Sequence, residues 1–142
     1  MSCYQCQSIA SGRLGRVLVI CYARGAYDPA ELVMKYKPSV GICGQAYARN
    51  EPVYFDQPAD EDTARRQESL FGLDPVQALV TRNVGSGLSV PMYRPDDYSK
   101  SNPIGVVNFD VIGDDLEQSK FDDEVAVGLG IATAGLAGIL FS

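Results

Sequence analysis

The sequence predicts an α+β fold built on a central sheet, and three observations carry that prediction. First, two apolar runs, Leu88–Tyr93 and Ile104–Val111, flank a polar stretch holding Pro95, Asp96, Asp97, Asn102 and Pro103. This is the pattern of two strands joined by a loop too long for a tight hairpin turn. Second, Arg16–Ala23 is a β-branched run that reads as a central strand. Third, the tail from Val125 to Phe141 carries no charge and is rich in Ala, Leu and Gly, which reads as a buried terminal helix. The three strand segments are expected side by side as the middle of one sheet, with the tail laid across its back.

Side chains alternate between the faces of a strand. Leu88, Val90 and Met92 therefore share one face, and Ser89, Pro91 and Tyr93 the other. In the later strand Val107, Phe109 and Val111 fall together, opposite Ile104, Val106, Asn108 and Asp110. Both faces of that strand are largely apolar, as in a strand covered on both sides. Asn108 is the polar exception.

In chain order, residues 1–14 are expected as an N-terminal arm or short helix ahead of a single domain over 15–142. Arg24-Gly25 turns the chain after the first strand. Asp28-Pro29-Ala30-Glu31 has the residues of a helix start: a capping Asp, Pro at the first helical position and a capping-box acid. Glu31–Lys37 also fits a second strand closing a meander, and the strand is the reading preferred here. Gly41–Asn50 is a short small-residue helix with Cys43 and Ala46 inward, and Pro52–Asp56 a brief strand. Gln57–Gly72 has an acidic first turn followed by Arg65 and Arg66, a charge order that suits a helix dipole. Leu70 and Phe71 are its expected apolar anchors and Gly72 its stop. Asp74-Pro75 starts another short helix through Leu79.

Each glycine in the tail costs about 1 kcal/mol of helix propensity relative to Ala, so Gly128, Gly130, Gly135 and Gly138 call for a packing reason. Gly128 with Ala132, and Ala134 with Gly138, lie four apart and make flat faces for close approach. About 17 apolar residues is the lower limit for a membrane span. The glycine content, the acids on one flank and the lack of a Lys or Arg anchor oppose that reading, and no membrane partner is expected.

At 142 residues the chain suits one domain, and 46% apolar with 21% charged residues are globular values. The net charge of −6 repels phosphate backbones, so no direct nucleic-acid partner is expected. The chain has no histidine. That excludes a Ser-His-Asp triad, a Cys-His pair and His-ligated metal within it. Cys3 and Cys6 have zinc-ligand or redox spacing, but no second pair follows, and no metal site is expected. The absence of a secretory pattern and the four cysteines fit reduced thiols in a cytoplasmic setting.

Two blocks carry a family resemblance. One runs Gly41-Ile-Cys-Gly-Gln-Ala46 through Glu51-Pro-Val-Tyr-Phe-Asp56. The other runs Leu88-Ser-Val-Pro-Met-Tyr93, a polar loop, Ile104-Gly-Val-Val-Asn-Phe-Asp110, then Phe121-Asp-Asp-Glu124 before a helical tail. In this order they resemble a GAF domain. The resemblance implies a GAF/PAS-like antiparallel sheet of five or six strands, with the terminal helix on one face and short helices and loops roofing a pocket on the other. It implies a sensory or regulatory domain that binds a small molecule, and a homodimer formed through the 122–141 helix. It brings no cofactor and no catalytic residue. The response is then carried by a partner or by another region of a longer polypeptide. The candidate ligand-binding residues are Phe55, Asp56, Arg65, Ser89 and Asn108.

Asn108, Phe121 and Asp123-Glu124 resemble the series found in cyclic-nucleotide binders, although Phe109 stands where those carry Lys. A second function class is a thiol enzyme similar to the GAF-fold free methionine sulfoxide reductases, for which Cys43 matches one cysteine position and no nucleophilic cysteine follows it. A third is a structural dimerisation module with a collapsed pocket, filled by Phe55, Phe71 and Tyr93.

Overall fold

The computed structural model describes residues 2–8, 16–25, 29–56, 62–82, 84–112 and 124–141. Six strands form one antiparallel sheet: β1 (Ser2–Ser8), β2 (Arg16–Ala23), β3 (Lys35–Tyr36), β4 (Val53–Asp56), β5 (Val84–Met92) and β6 (Gly105–Ile112). Their spatial order is β3-β2-β1-β6-β5-β4. The helices are α1 (Pro29–Leu32), α2 (Gly41–Arg49), α3 (Thr63–Phe71), α4 (Pro75–Val80) and α5 (Glu124–Phe141).

β5 and β6 pair as expected, with Ser89 opposite Asn108 and Leu88 opposite Phe109. The expected adjacency of Arg16–Ala23 to this pair is corrected. β1 stands between β2 and β6, paired antiparallel to both. Residues 2–8 are thus a central strand and not an arm or short helix. The ladder that holds them is made by backbone groups, which Ser, Gln and Cys supply as well as Val does. A hydrophobic pattern does not reveal that kind of strand.

The segment 29–37 is also corrected: it is one helical turn followed by a two-residue edge strand, not a continuous strand. The Met34 amide donates to the Glu31 carbonyl at 3.1 Å, closing the turn before β3 pairs with Leu18 and Val19. α3 ends as predicted, with Gly72 at φ +64° and its amide donating to the Glu68 carbonyl. Its inward residues are Gln67 and Phe71, one helical turn apart, while the expected anchor Leu70 is exposed. α4 opens on a capping box, with the Gln77 amide donating to Asp74 Oδ1 at 2.8 Å and the Asp74 amide to Gln77 Oε1 at 3.0 Å.

The sheet is covered on both faces. On one, Leu88, Val90, Met92 and Val107 pack against Ala134 and Ala137 of α5. On the other, Leu18, Val84 and Val106 join Ile42, Cys43 and Ala46 of α2 and Phe71 of α3. Val107 and Phe109 fall with Leu88, Val90 and Met92 on the α5 face and Val106 on the other, as the alternation predicts, but Ile104, expected beside Val106, precedes the first residue of β6 and packs on the α5 face instead.

The tail glycines split into two groups. A Cβ at Gly130 would press on Val90 and Leu88, and one at Gly138 would overlap the Tyr93 carbonyl oxygen. Gly130, Ala134, Ala137 and Gly138 make the small-residue stripe that lets α5 lie close on β5. Gly128 and Gly135 face open space. Among the described residues no helix is long and apolar enough to cross a membrane.

Candidate functional site

The face of β5 and β6 opposite α5, together with α1, α2, α3 and β4, lines a partly open cavity of about 40 Å³. Its apolar wall is dominated by Phe55 of β4 and Phe71 at the end of α3, whose ring centroids lie 5.1 Å apart at 55°. β5 approaches this pair closely because residue 87 is glycine: a Cβ there would stand 2.7 Å from Ile42 Cδ1 and 2.8 Å from Phe55 Cε1.

The polar wall has three parts. Asn108 of β6 is buried; its Oδ1 accepts from the Ser89 hydroxyl across the β5–β6 pair, and its Nδ2 donates to both Asp110 oxygens, at 2.7 and 2.8 Å. Gln67 of α3 is buried, and its Nε2 donates to the Thr81 carbonyl at 3.2 Å and the Val84 carbonyl at 3.3 Å. The Thr81 hydroxyl lies 2.9 Å from Gln67 Oε1 and 2.8 Å from the Gln77 carbonyl, with one proton to offer the two. This network ties α3 to the turn entering β5. The third part is Glu31 of α1, only 6% exposed, beside Tyr36 and Cys43.

Burial pushes the Tyr36 phenol and the Cys43 thiol well above their ordinary values, and the negative charges of Glu31 and Asp110 add to both shifts. A thiol held protonated in this way is the reverse of an activated nucleophile. Cys43 is buried, whereas Cys21 is exposed. No group of metal-ligating side chains forms among the described residues.

The five candidate residues separate clearly. Phe55 and Asn108 line the cavity. Ser89 is fully buried and sits behind Asn108 as its hydrogen-bond donor. Asp56 is exposed at the end of β4, accepting from the Ser86 hydroxyl at 2.6 Å. Arg65 is not brought to the cavity: its side chain is 86% exposed and lies 3.7 Å from Asp62 on the outer face of α3. The reason is helical phase, since Gln67 points inward and a residue two positions away points about 200° round the helix. Tyr93 also stays out of the cavity, donating from its hydroxyl to Asn50 Oδ1 at 2.7 Å. Phe121 and Asp123 of the cyclic-nucleotide series lie outside the described residues.

Sequence reasoning missed Glu31, Gln67, Thr81 and Asp110. Asp110 was within reach, because the period of two places it with Asn108. Gln67 had a signal in its one-turn spacing from Phe71. Glu31 was read as a capping acid, and nothing local marks it as buried.

No family model matches the chain, and no curated protein matches it. Among solved structures the chain is similar to the Nlh2 GAF domain of A. aeolicus in an inactive state, with a TM-score of 0.55 and 16% identity. The match covers 99% of this chain and 72% of that one. The fold is that of a GAF domain. An identity of 16% carries the fold alone. The GAF fold here sets the cavity on the sheet face that α5 leaves free.

Proposed function

We propose that the chain is a non-enzymatic GAF-type sensory or regulatory domain, working in the cytoplasm, whose cavity takes a small molecule. The observation that carries this reading is the mixed wall beneath α1 and α3: two aromatic rings opposite Asn108, Asp110, Gln67 and Glu31, all on one side of the sheet. Ligand sites combine an apolar lining with a few placed polar groups in this way. Thermal-shift screening of nucleotides, amino acids and amines tests the reading. A ligand at 100 times its dissociation constant adds about 2.7 kcal/mol of stability. A full screen without a shift above noise would remove the sensor.

The proposal includes self-association through the 122–141 helix. Leu129, Leu136 and Leu140 of α5 share one exposed stripe with Ile139 beside it, Leu140 at 78% exposure, and no charge interrupts them. A second copy offers the same apolar face under two-fold symmetry, so the surface is its own complement. Sedimentation of the chain should give a dimer, and Leu136→Glu a monomer. A monomer at high micromolar concentration sinks this part.

One observation favours the structural-module reading instead. The cavity is about 40 Å³, whereas drug-sized ligands occupy about 300 Å³ or more. On that reading Phe55 and Phe71 fill the site permanently. Dimerisation without any ligand in the screen would select it. The thiol-enzyme reading is disfavoured by the buried, protonated Cys43.

A further inference from the structure

We propose that the cavity takes the uncharged, apolar end of a small molecule, a branched alkyl or similar group of about four non-hydrogen atoms, while the remainder of the molecule leaves through the open side; this rests on the small-molecule reading above.

The first observation is the state of the polar groups in the wall. Each polar side chain there already has a partner within the protein. Gln67 Nε2 serves the Thr81 and Val84 carbonyls, and the Thr81 proton goes to Gln67 Oε1 or to the Gln77 carbonyl. Asn108 Nδ2 serves Asp110, and its Oδ1 accepts from Ser89. The Tyr36 hydroxyl donates to Met34 Sδ. The Glu31 and Asp110 carboxylates have further partners of their own. A polar or charged group entering would give up water for donors and carboxylates that are already engaged. Its desolvation would go uncompensated.

The second observation is the apolar part of the wall, which is the larger part. Ile42 of α2, Phe55 of β4, Phe71 and Leu73 at the end of α3 and Val84 of β5 line it. Covering such surface is favourable whatever the direction of approach, so an apolar group needs no vacant donor or acceptor.

The third is size. A cavity of 40 Å³ is room for about three waters. Waters against a wall with few unmet polar groups are weakly held, and an apolar group that displaces weakly held water gains affinity. Because the cavity is partly open, a larger molecule has to seat only its apolar end.

The test is methyl NMR of the whole chain, titrated with xenon under pressure and then placed in isobutane-saturated buffer. Acetamide and sodium acetate, which match isobutane in size, are the polar and charged arms. The expected result is saturable shifts at the Ile42, Leu73 and Val84 methyls with xenon and with isobutane, none there with acetamide or acetate, and no saturation at the exposed Leu136 and Leu140 of α5. Val84→Ile and Cys43→Val each add one carbon to the wall and should weaken xenon binding about tenfold or more; either folded variant suffices for this arm. Acetamide or acetate acting at the same methyls would overturn the apolar assignment and leave the small-molecule reading standing. So would xenon shifts that are unchanged in the folded variants, or that are the same at the α5 leucines as in the cavity. Silence with every probe, alongside an empty thermal-shift screen, would take both down together.

Discussion

Gly138→Ala and Gly135→Ala should move stability in opposite directions. Both replace glycine by alanine in the last turns of α5, and on propensity alone each should stabilise by up to about 1 kcal/mol. At Gly135 a Cβ meets nothing within 4 Å, so the gain should be realised. At Gly138 the Cβ would overlap the Tyr93 carbonyl oxygen. That atom is backbone at the end of β5 and cannot swing aside as a side chain would. Relief requires α5 to lift from the sheet, loosening its contacts with Met92, Val90 and Val107. Overpacking of this kind costs about 1–3 kcal/mol, so the net effect should be a loss of about 1–2 kcal/mol. The two variants should then differ by about 2–3 kcal/mol. With a urea m-value of about 2 kcal/mol per molar, their midpoints should separate by about 1 M or more. Urea titration followed by circular dichroism reads this directly. Running it at two protein concentrations keeps self-association separate, because a dimer makes the midpoint concentration-dependent. Equal shifts of the same sign in both variants would refute the close approach of α5 to β5.

Asn108→Ala should destabilise by about 1–3 kcal/mol in denaturant unfolding, because the buried Ser89 hydroxyl loses its acceptor and Asp110 its amide donor; a neutral result would mean that the network is not formed. Gln67→Met keeps the length but leaves the Thr81 and Val84 carbonyls without its donor. A loss of about 1–3 kcal/mol and faster hydrogen exchange at the Val84 amide should follow, and unchanged exchange there would count against the bridge. Cys43 gives a pH prediction. Its folded thiol is held protonated well above the ordinary value of 9.0, so above that pH the folded chain binds one more proton than the unfolded chain. Its contribution is therefore intact below pH 9 and is lost as pH rises, at about 1.4 kcal/mol per unit. Tyr36 adds a loss of the same sign above pH 10. Cys43→Ala should flatten the slope between pH 9 and 10, and an unaltered slope would place the thiol in solvent.

Much of the fold was readable because burial leaves a periodic mark. The alternation in Leu88–Met92 and Val106–Asp110 is enough to assign residues to the two faces of the sheet. The cap residues Gly72, Asp74 and Pro75 mark helix ends through local chemistry alone. The site was less readable. Phe55 and Asn108 were found because one is a large apolar residue and the other a polar exception in an apolar strand. Arg65 was chosen for its charge, and helical phase carried it to the solvent. Glu31 was assigned to a local cap, and the tertiary structure buries it in the cavity wall.

The sequence by itself determined the α+β class, the division of β5 and β6 into two covered faces, and the need for close packing along a glycine-studded tail. These follow from side-chain chemistry at fixed spacing, which acts within a few residues. Only the tertiary structure decided that Ser2–Ser8 stands in the middle of the sheet, and which tail glycines touch β5. It alone brought a carboxylate from α1 and one from β6 to the same cavity. Those outcomes depend on backbone pairing and on contacts between segments far apart in the chain, for which hydrophobic period and capping carry no information.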